Sequence, residues 1–301
     1  MSKKQLHEES YYLKHNRETL HLKRIFQNPN GITVFLIHGS VEDGRIYYSK
    51  SGKGLAPFLA SQGYDVFIPD LSGKGQSKPT VNRGSIHGQT EAITIEIPLF
   101  LKKIRTIKGD QPQHWIGHSW GGTLQYAHLL RFPNQENILS MCHFGVKRRI
   151  TVRNWEWVYK IAFAWYFLGN ILTKVYGFMP SKIFKFGSEN EPKKFYHQIN
   201  KWFKNDKWMD DEDGFDYTKQ IENVNLPPSR FLTGVKDYAL GAKQDSELFM
   251  NELKIQDTSE VVVLGKKYGN EVDYDHNNIL IHKACPTDVF PLVIEWFERF
   301  E

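Results

Sequence analysis

Cysteine is nearly absent from this 301-residue chain: Cys142 and Cys285 stand alone, with no Cys-x-x-Cys spacing. Two thiols cannot make the disulfide framework of a secreted scaffold, and they leave no thiolate set for structural zinc or dithiol redox chemistry. A thiol-reducing cytoplasm is the expected compartment. Long apolar runs are missing too. The nearest, Trp155 to Phe178, is interrupted by Glu156, Lys160, Asn170 and Lys174 before the roughly 18 apolar residues of a spanning helix accumulate. Met1-Ser2-Lys3-Lys4-Gln5-Leu6-His7-Glu8-Glu9 starts basic, but no apolar stretch follows, so it does not read as a secretory leader. Neither G-x-G-x-x-G nor His-Glu-x-x-His occurs, and Gly52-Lys53-Gly54 lacks the spacing and hydroxyl of a phosphate loop. Met209 to Gly214 matches a calcium loop only around its glycine, because position 1 falls on Met209 and position 12 on Gln220; it reads as a solvated acidic turn. No cofactor and no metal is implied.

What is present describes a globular chain: 40% hydrophobic residues, 24% charged, with ordinary glycine and proline, enough to bury a full core. The net charge of +5 would suit a nucleic-acid partner only if the cations formed a stripe or motif. They do not. Val146 to Phe186 holds Lys147, Arg148, Arg149, Arg153, Lys160, Lys174, Lys182 and Lys185 against Glu156 alone, a net +7 that leaves −2 for the rest. Nucleic acid is therefore not an expected partner.

From Leu20 the chain alternates short strands and helices, which predicts an α/β architecture around a mostly parallel sheet. Strands are expected at Leu20–Phe26, Ile32–Ile37, Asp65–Asp70, His114–Ile116, Ile138–Gly145, Ser229–Gly234 and Val261–Gly265. Helices are expected at Gly54–Gln62, Thr90–Ile107, Thr123–Leu130 and, after Pro286-Thr287-Asp288, to the C-terminus. The alternation lapses between 146 and 226. There Val158, Ile161, Trp165, Leu168, Leu172 and Val175 follow a 3-4-3-4-3 spacing, the mark of one helical face, and five of the eight tryptophans collect. The division expected is a core of residues 1–145 and 227–301 carrying a helical insertion at 146–226.

Chemistry concentrates at Gly117-His118-Ser119-Trp120-Gly121, between an expected strand and an expected helix. A G-x-S-x-G sequence in that setting is a nucleophile elbow: the sharp turn lifts the serine Oγ above the sheet, and small neighbours avoid clashes. Ser119 then needs a base and a third group that orients the base, in the chain order serine, acid, histidine. Asp237, just past the strand Ser229–Gly234, is the acid; the alternative place, after the strand ending at Gly145, offers only Val146-Lys147-Arg148-Arg149. His276 is preferred over His282 as the base because it sits in a polar loop, and Asp273 and Asp275 are further candidate acids. Oxyanion donors are expected from the backbone N–H groups of Ser40, after His38-Gly39, and of Trp120. His38 itself is expected to brace its loop.

Together with Asp70-Leu71-Ser72-Gly73-Lys74-Gly75-Gln76-Ser77, these residues resemble the α/β-hydrolase superfamily from about Leu20 to the C-terminus. The closing stretch, His276 followed ten residues later by Pro286, is similar to acid-lipase-type members, although Asn278 and Ile279 replace their usual Asp-Phe and Cys285 parts Ala284 from Pro286. The resemblance implies an α/β-hydrolase fold with a cap over the site at 146–226, and a serine hydrolase cleaving carboxylic esters through an acyl-enzyme; the departures at Asn278, Ile279 and Cys285 keep the lipid substrate from carrying over with it, and a small, lipophilic ester is the substrate expected. A thioesterase or acyltransferase with the same triad, and a non-catalytic binding protein on this fold, are the competing expectations. Aromatic residues flanked by cations in the insertion also suit peripheral contact with an anionic membrane. No protein partner is expected.

Overall fold

The computed structural model describes residues 5–301; the first four residues of the stretch considered above as a leader lie outside the described residues. Ten strands form: β1 (His7–His15), β2 (Glu18–Phe26), β3 (Thr33–Ile37), β4 (Asp65–Asp70), β5 (Gln113–His118), β6 (Ile138–Phe144), β7 (Phe178–Met179), β8 (Glu191–Pro192), β9 (Ser229–Gly234) and β10 (Glu260–Leu264). Eight of them make one sheet in the order β1-β2-β4-β3-β5-β6-β9-β10, and β7 and β8 form a separate ribbon. From β4 to β10 neighbouring strands of the sheet run parallel, while β1 and β2 are antiparallel additions at one edge.

The central strands read as continuous apolar runs because both faces are covered. In β3, Phe35 and Ile37 pack with Trp115, Leu124 and Leu130 on one side. Val34 and Leu36 pack with Leu55, Leu59, Val293 and Trp296 on the other. All four β3 side chains are fully buried, and each contributes about 1.5–3 kcal/mol by leaving water. Both cysteines are free and buried in the second of these layers. The helices Leu55–Ser61, Ile97–Lys108, Trp120–Arg131, Lys243–Glu252 and Phe290–Phe297 supply the covering layers. β1 was not expected: its sequence, HEESYYLKH, alternates half-buried with exposed positions and lacks the apolar run of a central strand.

Between β6 and β9 lie a π-helical stretch (Trp157–Leu168), the helices Gly169–Tyr176 and Lys193–Lys204, and the β7–β8 ribbon. The expected face is only partly realised. Ile161 and Leu172 are buried, but Val158 and Val175 are exposed. Hydrogen bonding in a π-helix runs to i+5, so the coil is wider than 3.6 residues per turn and a 3-4 spacing drifts off the face. Every fourth residue instead forms the outward stripe: Trp155, Tyr159, Phe163, Phe167, Ile171 and Val175 are all exposed.

Two further expectations are corrected. The positive charge of 146–186 is not all on the surface. Lys147 and Arg148 are buried, and Arg148 and Arg149 both bind Glu252. Exposed cations remain at Arg153, Lys160, Lys174, Lys182 and Lys185. Nor is the acidic turn wholly solvated: Asp210 is buried, accepting from Thr90 Oγ1 and from Arg131 at 2.8 Å, so it ties this segment to the helix Trp120–Arg131.

The ribbon fastens the same segment to the loop after β3. Val41 N–H donates to Glu191 Oε2 at 2.8 Å, and Glu189 N–H donates to the Val41 carbonyl at 2.9 Å. The buried Lys74 ammonium holds the other Glu191 oxygen at 2.8 Å. Val41 adopts φ 53°, a left-handed conformation that a β-branched residue takes only when its surroundings enforce it. Among the described residues no helix is long and apolar enough to cross a membrane, and no group of three or more His, Cys, Asp or Glu is placed to hold a metal ion.

Candidate active site

β5 ends directly in the helix Trp120–Arg131, and the residue at the corner is Ser119, with φ 49° and ψ −121°. The strained turn is held from both sides. Ser119 N–H donates to the Phe144 carbonyl of β6 at 2.8 Å, and a Cβ on Gly117 would stand 2.4 Å from the Gly122 Cα, a distance no side chain tolerates. The loop after β3 lies against the same corner: a Cβ on Gly39 would be 2.9 Å from the Ser119 Cβ. Ser40 thus borders Ser119 from one side and Trp120, first residue of the helix, from the other. His38 sits behind, with Nε2 accepting from Leu71 N–H at 3.2 Å and Nδ1–H donating to the Gly39 carbonyl at 2.8 Å, a brace for the loop.

Asp237 and His276, 39 residues apart in sequence, meet at 2.6 Å through Asp237 Oδ2 and His276 Nδ1. Leu240 and Gly241 N–H groups occupy the other Asp237 oxygen. Burial alone would raise the Asp237 pKa; the His276 ring, the Lys147 ammonium and the Gly241 N–H overcome it and hold the carboxyl below its usual 3.8. For His276 burial, joined by the nearby Lys147 and His118 charges, outweighs the pull of Asp237, and the pKa falls below 6.5. His276 is therefore neutral at pH 7, with Nε2 left as its acceptor. The competing residues are engaged elsewhere. Asp273 accepts from Lys266 N–H and Asp275 from Asn277 and Asn278 N–H, both as turn caps. His282 Nδ1 accepts from Ala284 N–H.

Ser119 and His276 face one cavity of about 870 Å³, within the range of small-molecule sites. Its apolar wall comes from the β6–β9 segment and the β9 loop, including Ile150, Ile161, Trp165, Met179, Phe203 and Leu240. Ser40, Tyr159 and Lys160 also line it.

Three residues close to the chemistry escaped the sequence reading. His118, the variable residue of the elbow, donates from Nδ1 to Glu42 Oε1 at 2.6 Å and from Nε2 to the His276 carbonyl at 3.0 Å. A ring that donates from both nitrogens is an imidazolium. Burial opposes that charge, but Glu42 outweighs it and raises the His118 pKa. Glu42 also accepts from Gly39 N–H. The third residue is Lys147, fully buried, whose Nζ donates to Ser119 Oγ at 2.9 Å.

A family profile described as alpha/beta hydrolase fold matches residues 32–220, more than half of the chain. The chain belongs to the α/β-hydrolase family. Solved α/β hydrolases share its architecture at low identity. The monoacylglycerol lipase of Paleococcus ferrophilus superposes with a TM-score of 0.61 at 15% identity, covering 94% of this chain and 99% of its own. A thermophilic esterase from Thermogutta terrifontis gives 0.60 at 14%, covering 97% and 99%. The thioesterase domain of the curacin biosynthetic pathway gives 0.53 at 17%, covering 97% and 99%. No curated relative matches the chain significantly. At these identities the likeness is one of fold, and the hydrolase neighbours leave the substrate to the site itself.

Proposed function

We propose that this α/β hydrolase cleaves carboxylic esters with a lipophilic acyl group through an acyl-enzyme on Ser119. The observation that carries the reading is the pairing of Asp237 with His276 at 2.6 Å, with His276 and the strained Ser119 lining the same cavity. In this mechanism Ser119 Oγ attacks the ester carbonyl while His276 Nε2 takes its proton. His276 then gives that proton to the departing alkoxide, and Asp237 stabilises the imidazolium between the two events. The backbone N–H groups of Ser40 and Trp120 receive the oxyanion; loss of one such donor typically costs about 100- to 1,000-fold in rate. Water, activated by the same histidine, releases the acid.

The apolar wall from Ile150 to Leu240 supports an aliphatic acyl chain. The segment over the site acts as a cap, and the cytoplasm, where two unpaired thiols persist, is the compartment proposed. The test is turnover of p-nitrophenyl esters from two to sixteen carbons by the wild type and by S119A. Rate should peak at medium or long chains and vanish in S119A; a rate that falls steadily with length removes the lipophilic substrate. Parallel assays with thioesters and with alcohol acceptors separate hydrolysis of esters from thioester hydrolysis and acyl transfer.

The outward stripe from Trp155 to Val175, flanked by Arg153, Lys160 and Lys174, favours a second element of this reading: the cap rests on an anionic lipid surface.

A further inference from the structure

Lys147 occupies the place after β6 that the sequence reading set aside because it holds no acid. Its backbone is pinned on both sides: the Lys147 carbonyl accepts from Thr123 Oγ1 at 2.8 Å and the Val146 carbonyl from Ser246 Oγ at 2.9 Å. The side chain is consequently aimed, and its Nζ reaches Ser119 Oγ at 2.9 Å. Titratable groups approach it from every neighbouring element: Glu42 from the β3 loop, Asp237 from the β9 loop, Asp245 from the helix Lys243–Glu252, and His276, itself held by His118, from the loop after β10.

An ammonium donating to Ser119 Oγ leaves the hydroxyl proton free to point elsewhere, and the neutral His276 has an open acceptor. We infer that Lys147 is a fourth catalytic residue of the proposed ester hydrolase, a cation that stabilises negative charge on Ser119 Oγ each time that atom gains or recovers its electron pair. The inference rests on Ser119 being the nucleophile. In acylation the Oγ–H bond breaks toward His276 Nε2 as the Oγ–carbonyl bond forms, and the hydrogen bond from the Lys147 ammonium strengthens on the nascent alkoxide. In deacylation the proton taken from water by His276 passes to Oγ as the acyl–Oγ bond breaks, and Lys147 again holds the departing oxygen. The lysine keeps its protons throughout, so nothing but water and ester is consumed. Such a donor matters most where charge develops inside a dry cavity.

Burial pushes the Lys147 pKa down to about 8, against the pull of Asp237, Asp245 and Glu42. The residue is thus a cation at pH 7 and loses its proton just above. The experiment measures kcat/KM and burst kinetics on a p-nitrophenyl ester from pH 5 to 9.5 for wild type, K147M and K147Q, with fluorophosphonate labelling of wild type and S119A alongside. Expected are a falling limb centred near pH 8 in the wild type, its absence in both variants, a loss of about 10- to 100-fold at pH 7, and slower decay of the acyl-enzyme. Variant profiles that superimpose on the wild type overturn the inference, as does a wild-type rate that rises through pH 8, which would make the lysine a base. If neither variant folds by thermal melting, the wild-type limb alone decides: a fall supports the role, a flat or rising profile to pH 9.5 overturns it. Labelling that persists in S119A instead defeats the nucleophile assignment itself.

Discussion

Ser119 bears its strain because everything around it is small or tied down, and the catalytic consequences are read one residue at a time. Asp237→Asn keeps the shape of the pair but reverses the tautomer it dictates, so kcat should drop by on the order of 10⁴-fold with folding intact, measured by ester turnover and melting. The His276 shift has a sign that can be checked. Because its pKa lies below 6.5 and the neutral ring is the competent base, ester turnover should rise with pH through a midpoint below 6.5. A midpoint above 6.5 would mean that Asp237 outweighs burial. His118 adds a different kind of control. As an imidazolium paired with Glu42 it holds the His276 main chain, so Glu42→Gln should lower kcat while leaving KM nearly unchanged.

At the level of elements, the positions of Ser119, Asp237 and His276 were legible because each follows a strand whose apolar run stands out, and because their order along the chain is restrictive. β4 and β9 fall where the sequence places them, Asp65–Asp70 and Ser229–Gly234. Lys147 and Glu42 were not legible. Their contacts with Ser119 and His118 span 28 and 76 residues and arise only where several loops converge above the sheet. β1 escaped for a different reason: an edge strand with one wet face needs no apolar run. The 146–226 segment was legible as helical but not in its geometry, since a 3.6-residue repeat is the wrong ruler for the coil Trp157–Leu168. The turn itself yields a sharp prediction. Gly117→Ala puts a methyl into the Gly122 backbone, so the strand and helix must part; activity should be lost and the melting temperature should fall by several degrees.

On the scale of the molecule, part of the positive charge of 146–186 is held inward: Lys147 buried at Ser119, Arg148 buried on Glu252, and Arg149 half-buried on the same carboxylate. The proposed membrane contact of the 146–226 segment would therefore lean on apolar area more than on charge. Replacing Phe163 and Phe167, both exposed, with Ser should weaken sedimentation with anionic vesicles, whereas raising salt to about 1 M, where screening reaches about 3 Å, should weaken it only in part. Equal sedimentation of wild type and variant would remove the lipid surface from the picture.

The fastening at Val41 ties two functions that are usually adjusted apart. One residue separates that clasp, made by Glu189, Glu191 and Lys74, from the Ser40 amide that would meet the oxyanion. A cap pulled open at the ribbon end would drag the amide with it, so admission of substrate and readiness for chemistry are geared to a single latch. Opening that lifts only the Trp157–Leu168 end and leaves the ribbon fastened would keep the Ser40 amide in place, so an enzyme whose door swings there would stay armed while it is open.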